Sequence, residues 1–158
     1  MAASDEGDPV GPEAAMGWPG GSGPGGPESH ATAAGEVLAA NRAYYDAFEA
    51  ADIDAMSALW EHGERVQCTH PGWASLRGWG AIAGSYFALF GNGRSLQFIL
   101  TDEHVEVVGD TAWVSVDENI LGTEIGATAN ALNVFVRGPH GWRMVVHHAS
   151  QVVDTEEP

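Results

Sequence analysis

The spacing of apolar positions changes partway along the chain. From Glu36 to Ala51, EVLAANRAYYDAFEAA, the residues Val37, Asn41, Tyr44, Tyr45 and Phe48 recur every three or four positions, the stripe of an amphipathic helix. ADIDAMSALW continues as a second, short helix, with Asp52 in the turn and Asp54 placed as N-cap ahead of Met56, Leu59 and Trp60. RVQCTH alternates as a first strand, and PGWASLRG reads as a loop because Pro71 and Gly72 interrupt any regular element. Gly78 to Phe90 returns to helical spacing through Trp79, Ile82, Tyr86, Phe87 and Phe90, and GNG ends it.

From Ser95 onward the period falls to two. SLQFILTDEHVEVV, TAWVSVDENIL, ATANALNVFVR and GWRMVVHHASQVV are rich in Val, Ile, Thr and aromatics, and are parted by Gly109-Asp110, by LGTEIG and by Gly138-Pro139-His140-Gly141. Helices first and a run of antiparallel strands afterwards predict an α+β fold in which helices cover one face of a curved sheet.

Composition sets the limits of this unit. Residues 1–35 hold 9 of the 21 glycines and 5 of the 8 prolines and read as a disordered, acidic leader; 36–152 form the domain, and 153–158 a short acidic tail. Trp18 in the leader reads as a stray aromatic, and GSGPGG at 21–26 matches a dinucleotide-binding pattern by chance, since no strand precedes it. The chain has six Arg, no Lys and 22 acids, a formal charge of −16. That balance argues against nucleic acid and against docking on an anionic membrane. No stretch reaches the ~18 apolar residues of a membrane span, and MAASDEGDPV has no cationic region of the kind a secretory signal carries. Cys68 is the single cysteine, so no disulfide forms within the chain. The expectation is a soluble cytoplasmic protein.

The element order, with CTHPGW at 68–73, ALNVF at 131–135 and the closing GWRMVVHHAS at 141–150, resembles the SnoaL-like branch of the nuclear transport factor two-like superfamily. The resemblance covers about 117 residues, essentially the whole domain. It implies a cone: a strongly bent, mostly antiparallel sheet wrapped around N-terminal helices, with a pocket open at the wide end. It leaves function undecided, because the same cone hosts ketosteroid isomerases, polyketide cyclases, dehydratases, epoxide hydrolases and non-catalytic association domains.

Strand alternation then selects the side chains that enter the cone. In the last strand Trp142, Met144, Val146, His148 and Ser150 share a face; Trp and Met suit the interior, so His148 is expected to point inward with them. In TAWVSVDENIL the apolar set ends in Glu118, the expected inward acid, with Asp117 the alternative if a bulge shifts the register by one. Asn133 falls on the inner side of its strand, and His70 stands at the end of the first strand beside Pro71 and Trp73. His148, Glu118 and His70 are the candidate catalytic groups, and Trp73, Asn133, Tyr45, Trp79 and Tyr86 the candidate substrate contacts. A buried carboxyl with a raised pKa and an imidazole near neutrality suit acid/base work on a small hydrophobic molecule. The same groups could equally satisfy one another as a buried network that fixes the sheet. No close-spaced ligand motif speaks for a metal, and no cofactor is expected. Cys68 reads as a small buried hydrophobe. Trp113 and its neighbours on the outer sheet face predict a homodimer. The alternative to an enzyme is a non-catalytic binding or dimerisation module with a filled or ligand-carrying pocket.

Overall fold

The computed structural model describes residues 27–122 and 126–153, so Trp18, the 21–26 glycine motif, most of the leader and the last five residues lie outside it. Helix α1 runs Pro27–Glu49 and α2 Ile53–Leu59. They are followed by β1 Gln67–Thr69, β2 Leu76–Arg77 and α3 Trp79–Gly91. Four long strands complete the chain: β3 Gln97–Val108, β4 Thr111–Leu121, β5 Ala127–Gly138 and β6 Gly141–Gln151. The sheet order is β2-β1-β6-β5-β4-β3. All neighbours are antiparallel except β1 and β6, which pair in parallel. The fold is therefore the α+β arrangement expected, with α1 against β3, β4 and β6 and α3 beside β1 and β2.

Three local readings change. Helix α1 reaches back at least to Pro27, nine residues before the expected domain start, and Ala33 in that added stretch is buried. The N-cap of α2 is Asp52, not Asp54: its side chain accepts from Ala55 N at 3.0 Å, while Asp54 sits in the first turn. The stretch expected to be loop contains β2, two residues that pair with Gln67 and Cys68. Gly78 then turns the chain into α3 at φ 80°, where a side chain would be strained, and its N–H bonds Val66 O at 2.9 Å.

Two bulges bend the sheet and reset which residues face the helices. In β3 the register jumps between Thr101 and His104, with Asp102 in the left-handed region at φ 53°. In β6, Met144 pairs with Phe135 and Val146 with Val134, which leaves Val145 as the extra residue. Before Val145 the inward residues are Trp142 and Met144; after it they are His147 and Ala149. The expectation that His148 points inward is overturned for this reason: one inserted residue exchanges the two faces of the strand.

Candidate functional site

The inner face of the sheet carries a small polar set inside an aromatic shell. Glu118 is 3 % exposed, and Asn133, Asn41 and His147 are also buried. Alternation along β4 and β5 places Glu118 and Asn133 inward as expected, while Asp117 turns out and accepts from Asn130 at 2.9 Å. Tyr44, Tyr45 and Asn41 come from successive turns of α1, one stripe of a helix that presses on the sheet.

One hydrogen-bond chain crosses this interior with a fixed direction. Asn41 Nδ2 donates to Glu103 Oε2 at 3.0 Å; Asn133 Nδ2 donates to Asn41 Oδ1 at 2.8 Å; His147 Nδ1 meets Asn133 Oδ1 at 2.6 Å. Because a carboxylate can only accept, Glu103 orients Asn41, Asn41 orients Asn133, and Asn133 Oδ1 requires the proton of His147 on Nδ1, leaving the lone pair on Nε2. The Asn133 amide also donates to Tyr45 Oη at 3.1 Å, which frees the Tyr45 proton for the Glu118 carboxyl. The other carboxyl oxygen, Glu118 Oε1, is buried with no hydrogen-bond partner among the described residues.

A second cluster lies beside the first. Tyr44 Oη and Tyr86 Oη are 2.8 Å apart, and Cys68 Sγ is 3.7 Å from Tyr86 Oη. Ser85 Oγ donates to Ile82 O at 2.7 Å and therefore accepts from His70 Nε2 at 2.9 Å, so His70 carries its proton on Nε2. The clusters meet where the Tyr44 and His147 rings stand 4.9 Å apart and the His70 and His147 rings 6.2 Å apart.

Burial without a compensating charge dominates the electrostatics. It raises the Glu118 carboxyl to about 8, the Tyr45 hydrogen bond offsetting this only in part. Burial lowers His147 to about 3, with the neighbouring His70 and His148 adding to the effect, and lowers His70 to about 4. It also pushes the Cys68 thiol up to about 12 and the Tyr44 and Tyr86 hydroxyls well above their ordinary value. At neutral pH the interior thus holds a protonated carboxyl and two neutral imidazoles. Glu118 alone among them titrates near neutrality, where a group can both give and take a proton. The lowered histidines serve as hydrogen-bonding groups of fixed tautomer.

The remaining sequence candidates separate. Tyr45 touches the first cluster; Tyr86 and His70 form the second. Trp73 is 44 % exposed and stands edge-on to His70 with ring centres 4.9 Å apart, covering that imidazole from the outside. Trp79 does not join the cluster: its ring stacks on His62 at 4.5 Å and packs near Trp60. His148 lies exposed on the outer sheet face, paired in register with Leu132. Sequence reasoning missed His147, Ser85 and Glu103 as site members and gave Asn41 only a place in a helical stripe. The available signals were the unbroken Met144-Val145-Val146 run, which departs from alternation, and Asn41 on an apolar stripe.

Comparison with known proteins agrees with the fold. The model of the SnoaL-like domain matches residues 37–154. A protein of the NTF2-like family from Streptomyces avermitilis, named as a candidate dehydratase, shares 42 % identity over 78 % of this chain and 99 % of its own, with a TM-score of 0.74. A candidate calcium/calmodulin-dependent protein kinase type II association domain from Thiobacillus denitrificans shares 36 % identity over 73 % and 94 %, TM-score 0.67. An NTF2-like superfamily protein from Salmonella enterica serovar Typhimurium, 23 % identical over 79 % and 94 %, TM-score 0.71, supports the fold. No curated protein matches the chain. With its cone-type α+β fold and a family match over most of its length, the chain belongs to the SnoaL-like family of the NTF2-like superfamily.

Proposed function

We propose that the protein is an acid/base enzyme that eliminates water from a small, uncharged, largely apolar molecule held against Glu118. One observation carries the reading: a buried carboxyl, raised to about 8, with one oxygen lacking any partner among the described residues. In its ionised form such a group would take a proton from carbon beside a carbonyl; protonated, it would hand that proton to the departing hydroxyl, which leaves as water. Shuttling the proton between two carbons instead would give an isomerase, so the site chemistry alone admits both. The relative named as a candidate dehydratase, at 42 % identity, favours elimination. His147, through the lone pair on Nε2, would accept a hydrogen bond from the substrate in the place expected of His148, while Asn133 and Tyr45, whose protons are taken within the network, would hold His147 and Glu118 in position. His70, under Trp73, would bound the site on the other side. An uncharged substrate fits because no arginine among the described residues is buried.

The test is a panel of β-hydroxy ketones followed by the absorbance of the conjugated product. Turnover should fall by about 10²-fold or more in Glu118→Gln, the range of general acid–base contributions. An active wild type matched by an equally active Glu118→Gln would overturn the assignment.

A second reading is a non-catalytic association module, favoured by the exposed Ile99, Trp113 and Leu132 and by the 36 % identical relative named as an association domain. Crystals pressurised with xenon or soaked with fragments separate the two. An interior that takes up neither supports the module and removes the enzyme.

A further inference from the structure

We infer that the outer groove between α2 and the β5–β6 hairpin is a separate binding site for a small organic anion, a carboxylate or phosphate group on a compact apolar body. The groove encloses about 620 Å³, within the range of small-molecule sites. Three of the chain's six arginines, Arg65, Arg137 and Arg143, line it, together with His62 and His140, in a protein of net charge −16. Two of these guanidiniums are already engaged. Arg65 grips Glu61 through Nε and Nη2 at 2.9–3.1 Å, and Arg137 holds Asp110 at 3.1 Å while lying over the Trp142 ring at 5.1 Å. Arg143 is half-buried and has no hydrogen bond or ion pair among the described residues. A cation left unpaired at a groove wall, within a molecule that has acids to spare, is the arrangement expected where the counter-ion is a ligand.

Trp60 stands at the groove wall, 2 % exposed with its indole N–H buried, so its resonance reports on the wall although the N–H itself does not meet the ligand. The lining also contains Asp54 and Glu61; Glu61 is taken by Arg65, so Asp54 remains as the opposing charge and favours a ligand with one anionic group over one with several. Ala58, Val136 and Pro139 supply apolar wall for its body. None of the interior groups takes part, so the inference stands independently of the acid/base reading.

The experiment titrates the full chain, ¹⁵N-labelled, with phenyl phosphate and with phenol as its neutral counterpart. Phenyl phosphate should bind saturably, shift the Trp60 indole resonance, and weaken on adding salt; phenol should not bind there. Arg143→Gln should weaken phenyl phosphate about tenfold, as loss of a charge-assisted contact does, with Arg65→Gln as a second variant should the first be unstable. Glu118→Gln should bind as the wild type does. Equal binding of phenol, an unmoved Trp60 resonance, or undiminished affinity in a folded arginine variant would overturn the site.

Discussion

At the residue scale the protonation pattern inside the cone makes stability depend on pH in two opposed ways. Glu118 binds its proton more tightly folded, about 8, than at the ordinary 4.5, so its contribution is complete below 4.5 and is lost as pH rises toward 8. His147 and His70 bind protons less tightly folded, so theirs is complete above 6.5 and is lost as pH falls toward 3 to 4. Above pH 6.5 only the Glu118 effect operates among these groups. Stability measured by urea unfolding should fall by about 1.5 kcal/mol between pH 6.5 and 8, and Glu118→Gln should abolish that fall; an unchanged slope in the variant contradicts the assignment. The amide relay makes a second prediction. Glu103→Lys puts a donor where the acceptor stands, so Asn41 and Asn133 should both turn over and the His147 proton should move to Nε2, whereas Glu103→Gln can still accept. Imidazole ¹⁵N shifts read the tautomer directly, and an Nδ1 proton retained in Glu103→Lys would show that Glu103 does not set it.

At the element scale the two bulges matter more than the strands themselves. The one at Asp102 lets Glu103 reach Asn41, and the one at Val145 brings His147 rather than His148 inside. His147→Ala should therefore cost about 2–3 kcal/mol, because Asn133 Oδ1 is left buried and unpaired, while His148→Ala should stay within about 0.5 kcal/mol. Thermal unfolding of the pair checks it, and the reverse order would restore the uninterrupted register. This also marks how far the sequence could be read. Alternation placed Glu118 and Asn133 because β4 and β5 pair there without interruption. It failed at His148 because a bulge adds no polar residue to announce itself; Val145 and Val146 are both apolar, and either face accepts them. The helices were legible in type from their stripes, but the start of α1 was hidden in residues whose Gly and Pro content resembles a tail, and only the burial of Ala33 against the fold shows why the helix extends there.

At the scale of the whole molecule the charge is divided. Five acids in residues 1–35 and three in 153–158 carry −8, and the domain, with 14 acids and six arginines, carries the other −8. No described helix is long and apolar enough to cross a membrane. The outer sheet face keeps Trp113 and Leu132, diagonal neighbours on β4 and β5, and farther along it Ile99, in contact with solvent in a single chain. A dimer formed on this face is expected in light scattering, and Leu132→Asp should shift it to monomer; an unshifted mass would place the interface elsewhere. The central proposal concerns the inner face, where the raised Glu118 carboxyl stands among aromatic side chains. The most direct test is a ¹³C NMR titration of the Glu118 side-chain carboxyl. A midpoint near pH 8 is predicted, whereas a midpoint near the ordinary 4.5 would mean that the carboxyl is solvated, and the acid/base account would fall with it.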